Sequence, residues 1–341
     1  MSKILVTGGL GYIGSHTVVE LVKAGYEPVI VDNLSNSNIK ILDQLTKIIG
    51  FKPVFHQLDL CDVQSVISLA AAEPDITGII HFAAFKAVGE SVAKPLKYYQ
   101  NNFYSLINLL ETYYGRKINF VFSSSCTVYG QPDVLPVTEN APIKPAESPY
   151  GNTKQVAEEI LREMTASGSA CKVISLRYFN PVGAHDSALI GELPIGVPQN
   201  LVPFITQTAI GKREKLTVFG DDYNTPDGSC VRDYIHVVDL GKAHVAALKL
   251  METEGYSNIY DVFNLGTGNG NTVLEVIKAF EESTGEKLNY QIGPRRPGDV
   301  EKVWGDVTKS TNVLKWTAEL GIADMMSSAW NWEKYLSQNP F

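Results

Sequence analysis

The feature that most constrains the fold of this chain is a regular alternation in its first half. Apolar, β-branched runs at Ile4–Val6, Pro28–Val31, Pro53–His56, Gly78–Phe82, Asn119–Phe122 and Lys172–Arg177 are separated by helical patterns such as Gly14–Ala24 and Ser65–Ala72. Strands joined through helices need long crossovers. Those crossovers are right-handed, so the strands lie parallel with helices on both faces. The runs read as continuously apolar, as strands covered on both faces do. The expected class is therefore α/β, a doubly wound parallel sheet. Past Asn180 the texture changes: residues 181–230 are rich in Gly, Pro, Asp and Asn, the texture of an irregular lobe that carries binding loops. A helical pattern returns at Val238–Met251, a short strand at Asp261–Leu265 and a helix at Val273–Ser283. With no internal repeat or linker, the second lobe should interleave with the first. The expected division is 1–180, with a return segment at about 234–265, against a smaller, partly interleaved C-terminal lobe at 181–341.

Composition narrows the partners. Of 341 residues, 44% are apolar and 19% charged, which excludes a disordered chain. Lys+Arg 29 against Asp+Glu 37 gives −8, the opposite of a nucleic-acid binder's footprint. An anionic ligand would need cations gathered locally. Cys61, Cys126, Cys171 and Cys230 are far apart with no CxxC pair, which suits free thiols in a reducing cytoplasm better than zinc or a disulfide framework. The six histidines, His16, His56, His81, His185, His236 and His244, are dispersed among apolar neighbours, so no metal site is expected. No apolar run reaches about 18 residues, and Met1-Ser2-Lys3 leads straight into a strand. The expectation is a soluble cytoplasmic protein with neither a membrane nor a nucleic-acid partner.

Two motifs carry chemistry. In Thr7-Gly8-Gly9-Leu10-Gly11-Tyr12-Ile13-Gly14 the glycines at 8, 11 and 14 follow a strand and open a helix, and Asp32 ends the next strand, 18 residues after Gly14. Such glycines let the backbone approach a pyrophosphate at the positive end of the helix. Asp32 can accept both adenosine ribose hydroxyls and would repel a 2′-phosphate, so the cofactor reads as NAD and not NADP. The second motif is Tyr150 with Lys154. Tyr113 and Lys117 show the same spacing, but Gly115 breaks their helix, whereas Ser148-Pro149 caps a new one that puts Tyr150 and Lys154 on one face. A lysine ammonium and a cationic nicotinamide would pull the phenol down from its usual value of about 10, making Tyr150 a general base. Ser123-Ser124-Ser125 emerges at a strand's carboxyl end, where ligands bind in such sheets.

The Gly-x-x-Gly-x-x-Gly spacing resembles that of the extended short-chain dehydrogenase/reductase family, and nearly the whole chain resembles its UDP-glucose (UDP-galactose) 4-epimerases. The resemblance implies a Rossmann-like sheet holding NAD, a UDP-hexose substrate in the second lobe and a homodimer. It implies a triad of Tyr150, Lys154 and Ser125, the serine relaying the sugar's proton to Tyr150. Related 4,6-dehydratases carry an Asp-Glu pair after this serine; Cys126-Thr127 stands there instead, which favours oxidation and re-reduction at C4 over dehydration.

By the same resemblance Gly8, Gly11, Tyr12, Ile13 and Gly14 meet the pyrophosphate. Asp32, Asn33, Leu34, Ser35, Asn36 and Ser37 meet the adenosine ribose, and Asp59 and Leu60 the adenine. Phe82, Ala83, Ala84, Phe85 and Lys86 pass the nicotinamide side, Lys86 reaching ribose hydroxyls, with Asn101 and Phe179 completing the cofactor site. For the substrate the matching positions are Lys86, Ser125, Tyr150, Asn180, Asn200, Leu201, Phe219, Arg232, Arg296, Asp299 and Val303. Two of only seven arginines, Arg295 and Arg296, adjoin in a Gly/Pro loop, the local cation cluster the acidic balance requires. Val303 is smaller than the Tyr some members carry there, so UDP-N-acetylhexosamines are expected to fit as well. The alternatives are a 4-epimerase of a pentose or uronate UDP-sugar, a net dehydrogenase, and a non-catalytic dinucleotide sensor that need not keep the Tyr, Lys and Ser.

Overall fold

The computed structural model describes residues 1–296 and 300–341. In chain order the first half runs β1 (Lys3–Thr7), α1 (Tyr12–Lys23), β2 (Glu27–Asp32), α2 (Lys40–Ile49), β3 (Val54–Gln57), α3 (Val63–Ala72), β4 (Ile76–His81), α4 (Val88–Ala93), α5 (Pro95–Tyr113), β5 (Asn119–Ser123), α6 (Pro149–Ala166) and β6 (Lys172–Tyr178). The second half continues with β7 (Asn180–Val182), α7 (Leu201–Ala209), β8 (Leu216–Phe219), β9 (Val231–His236), α8 (Val237–Glu252) and β10 (Tyr260–Leu265). It ends with β11 (Gly270–Thr272), α9 (Val273–Thr284), β12 (Tyr290–Gly293), β13 (Lys302–Val303) and α10 (Ile322–Gln338). Each of the six strands read from the first half is present within two residues of its expected bounds, the ordinary scatter of element ends.

Among the described residues, seven strands form one all-parallel sheet in the order β10-β6-β5-β4-β1-β2-β3. This is the Rossmann-like doubly wound sheet, extended by β10 at one edge. Alternate strand residues feed two cores. Ile4, Val6, Ile30, Ile80 and Val121 pack against Val18 and Leu21 of α1, Leu45 of α2 and Leu240 and Leu248 of α8. Leu5, Val29, Val31, Ile79 and Phe120 point the other way, onto Val66 and Leu69 of α3, Leu106 and Leu109 of α5 and Leu161 of α6. With both faces covered, the central strand positions are mostly apolar, which is why no polar alternation was visible.

β1 lies between β2 and β4, so the winding reverses there and the carboxyl ends of β1 and β4 leave a crevice. The second lobe is built round β9, which pairs β7 and β13 in parallel and β11 antiparallel. Its own core gathers Ile205, Val218, Tyr234, Ile277, Phe280, Met326 and Trp330. The chain re-enters the large sheet through α8, which packs on α1, and β10.

Candidate active site

The glycine turn occupies the β1–β4 crevice. Gly8 has φ +68°, a left-handed conformation that favours glycine, and a Cβ there would lie 3.0 Å from the Ala83 nitrogen. A Cβ on Gly14 would lie 2.3 Å from the Gly8 carbonyl oxygen, so only glycine lets α1 start this close to the turn. The Asp32 carboxylate accepts from Leu10 N (3.1 Å), Leu34 N (2.9 Å) and Ser37 Oγ (2.7 Å), tying the glycine turn to the loop after β2. Leu34 is held at φ +60° by that bond, a strained conformation at the expected ribose site. A bare-backbone cradle at a helix start, with a buried carboxylate 18 residues on, fits the pyrophosphate and ribose of a dinucleotide. Asn33 reaches Asp59 (3.4 Å), Leu60 is buried, and Ser35 N bonds Asn33 Oδ1 (3.0 Å). Phe82 packs on the His244 ring at 4.7 Å, and Phe85 N bonds Asn102 Oδ1 at 2.9 Å. Asn101 turns its amide onto Asn102 (3.0 Å).

The catalytic candidates come together across β5 and α6. Ser148 Oγ accepts from Gly151 N (3.2 Å) and Pro149 takes the first turn, so Tyr150 and Lys154 open α6 as expected. Both are buried, and Ser125 is near enough to the Tyr150 phenol to favour its charged form. Lys154 Nζ donates to the Ser123 carbonyl (2.7 Å), lies 4.7 Å from the Phe122 ring centroid and 6.0 Å from that of Tyr150. Burial pushes the Tyr150 phenol well up, with Ser125 working against it, and burial pushes Lys154 down to about 8. Desolvation outweighs the lysine because the ammonium faces a carbonyl and not the phenol.

Most of the substrate candidates fall on the elements that follow β6 and on their loops. Asn180 opens β7, Asn200 precedes α7 and Leu201 begins it. Val303 pairs with Arg232 across β13 and β9, so the two stand side by side in the sheet. Arg295 is drawn to Asp222 (2.6 Å) and lies 4.1 Å over the Tyr223 ring. Arg296 lies 5.6 Å over Phe219, so the structure places two adjacent arginines on different partners. Phe179 is buried beside Gly305, where a Cβ would meet its ring at 2.4 Å. Asp299 lies outside the described residues. Among the described residues no group of three or more His, Cys, Asp and Glu could hold a metal, and no helix is long and apolar enough to cross a membrane.

A family model, GDP-mannose 4,6 dehydratase, matches residues 5–329. UDP-glucose 4-epimerase 2 of Arabidopsis thaliana is 50% identical over 99% of this chain and 96% of that protein. The chain belongs to the UDP-glucose 4-epimerases. Solved epimerases superpose closely. That of Stenotrophomonas maltophila, with bound NAD and formylated UDP-arabinopyranose, has a TM-score of 0.95 at 44% identity, covering 99% of each chain. That of Bifidobacterium longum, in complex with NAD+ and UDP, has 0.92 at 46%, also covering 99% of each.

Three residues of this epimerase site were not found by sequence reasoning. Glu192 accepts from Lys86 Nζ (3.4 Å) and Asn200 Nδ2 (2.6 Å), joining a predicted cofactor residue to a predicted substrate residue from a loop with no motif. Asn102 grips both backbone groups of Phe85 and Thr153 Oγ1; its signal was its place beside Asn101. Asp233, within Arg232-Asp-Tyr-Ile-His, accepts from Thr267 N, Thr267 Oγ1, Gly268 N and Gly305 N and so ties the β10–β11 loop and the residues after β13 to β9.

Proposed function

We propose that the chain interconverts UDP-galactose and UDP-glucose at C4 of the hexose, with NAD as resident cofactor. The observation that carries the reading is the convergence of Tyr150, Ser125 and Lys154 beside the glycine crevice between β1 and β4. When bound, NAD supplies the reversible redox chemistry at C4 and a positive ring that favours the Tyr150 phenolate. Tyr150 takes and returns the proton of the C4 hydroxyl, and Ser125 hydrogen-bonds that oxygen and relays the proton. Lys154 holds positive charge behind the phenol. Arg232 and Arg296 grip the diphosphate while the hexose turns to present its other face, and Asn180, Asn200, Leu201 and Phe219 frame the nucleotide. The pair Cys126-Thr127 offers no carboxylates for elimination, which supports epimerisation over dehydration despite the dehydratase name of the family model.

In this reading residues 1–180 with the return segment hold NAD, and 181–341 hold the UDP-sugar, including N-acetylated hexosamines beside Val303. A homodimer follows from the family resemblance, and Val88, Val92, Leu96, Tyr104 and Ile107 offer an exposed apolar face on α4 and α5. Four free thiols suit a cytoplasmic setting. The test is incubation of the purified protein with UDP-galactose and no added cofactor. UDP-glucose formation supports the reading; no conversion even with added NAD removes it.

A further inference from the structure

One turn beyond Lys154 on α6 lies Glu158, buried and unused by the proposed chemistry. Its Oε1 accepts from Ser124 Oγ at 2.5 Å and from Arg177 Nε at 3.0 Å, and its Oε2 from Arg177 Nη2 at 2.6 Å. A buried ion pair adds little stability over apolar packing, so its place in the structure needs another reason. Residues 154 and 158 share one face of α6. Each grips a consecutive residue at the end of β5: Lys154 the Ser123 carbonyl, Glu158 the Ser124 hydroxyl. The next residue is Ser125, whose Oγ accepts from Thr127 N (3.3 Å) at the head of the short 3-10 turn Cys126–Tyr129. Arg177 extends the brace, lying 4.8 Å over the Tyr129 ring and donating to the Glu139 carbonyl (3.3 Å).

We propose that Glu158 is a positioning residue for the epimerase reaction: it clamps Ser124, so setting Ser125 against Tyr150, and keeps a negative charge one turn behind Lys154. The inference rests on reading Ser125, Tyr150 and Lys154 as the reacting set. The groups facing Lys154 are Glu158 and Tyr150 from α6 and His81 from β4. Of these, Glu158 works against the burial that pulls Lys154 down.

The test compares wild type, Ser124→Ala and Glu158→Gln as holoenzymes converting UDP-galactose. Ser124→Ala leaves the ion pair whole and removes only the clamp; kcat should fall about tenfold or more while KM stays within about twofold. Glu158→Gln should lower kcat and also move the acid limb of the kcat–pH profile upward, because Lys154 loses its proton more readily and supports the phenolate less. Ser124→Ala should leave that limb in place. Wild-type kcat in Ser124→Ala, or a folded, NAD-loaded Glu158→Gln with an unmoved limb, overturns the proposal. If Glu158→Gln does not fold, the kcat of Ser124→Ala decides alone. An inactive wild type would instead remove the functional reading on which both roles rest.

Discussion

Acidification tests the packing behind the site, because four imidazoles are sealed there without room for a charge. His16, His81, His236 and His244 are 0–3% exposed. Burial pushes His16 and His81 down to about 3 and His236 and His244 down to about 4. His16 and His244 each have an Nε2 with no hydrogen-bond partner, so neither can share a proton through that atom. In the unfolded chain a histidine titrates near 6.5. As pH falls through that value toward about 4, unfolding takes up protons the native state refuses, so stability falls as pH falls and levels off about one unit above 6.5. From pH 6.5 to 5.5 each site costs about 1 kcal/mol, or about 4 kcal/mol together. Total stabilities of roughly 5–15 kcal/mol make that a large loss. With an unfolding entropy of about 2.1 cal/mol/K per residue, Tm should drop by roughly 6 °C. Buried Asp233, raised by burial, acts in the opposite direction. The assay is thermal unfolding by circular dichroism at constant ionic strength from pH 8 to 5. A Tm that is flat from 6.5 to 5.5 would refute the argument.

Three further outcomes concern the site. Tyr150→Phe should lose about 10²–10⁴-fold in turnover while keeping its cofactor; activity near wild type would displace Tyr150 as the base. Gly14→Ala puts a methyl 2.3 Å from the Gly8 carbonyl, so the turn must open and purified protein should lose its dinucleotide absorbance. Retention of full cofactor in that variant would mean the cradle is not where the dinucleotide lies. Val303→Tyr should suppress turnover of UDP-GlcNAc at least tenfold more than that of UDP-galactose, since residue 303 stands beside Arg232 in the sheet. No UDP-GlcNAc product from wild type would sink the size argument.

Short-range pattern determined a good deal of this protein. The apolar runs placed β1 to β6, Ser148-Pro149 placed the start of α6, and the glycine spacing placed the crevice, because each depends on residues a few positions apart. Tyr150 and Lys154 were likewise legible, being one helical turn apart. What tertiary structure alone decided involves partners far away in sequence. Arg295 and Arg296 have identical chemistry, yet Asp222 and Tyr223 take the first and Phe219 lies beneath the second. Glu192 joins Lys86 to Asn200 only because two lobes meet there, and Asp233 matters through loops 34 and 72 residues later. The burial of Tyr150 was also beyond reach. Sequence named the lysine one turn away, but the desolvation that pushes the phenol up exists only once Tyr98, Ser125 and Tyr178, distant in sequence, are folded round it.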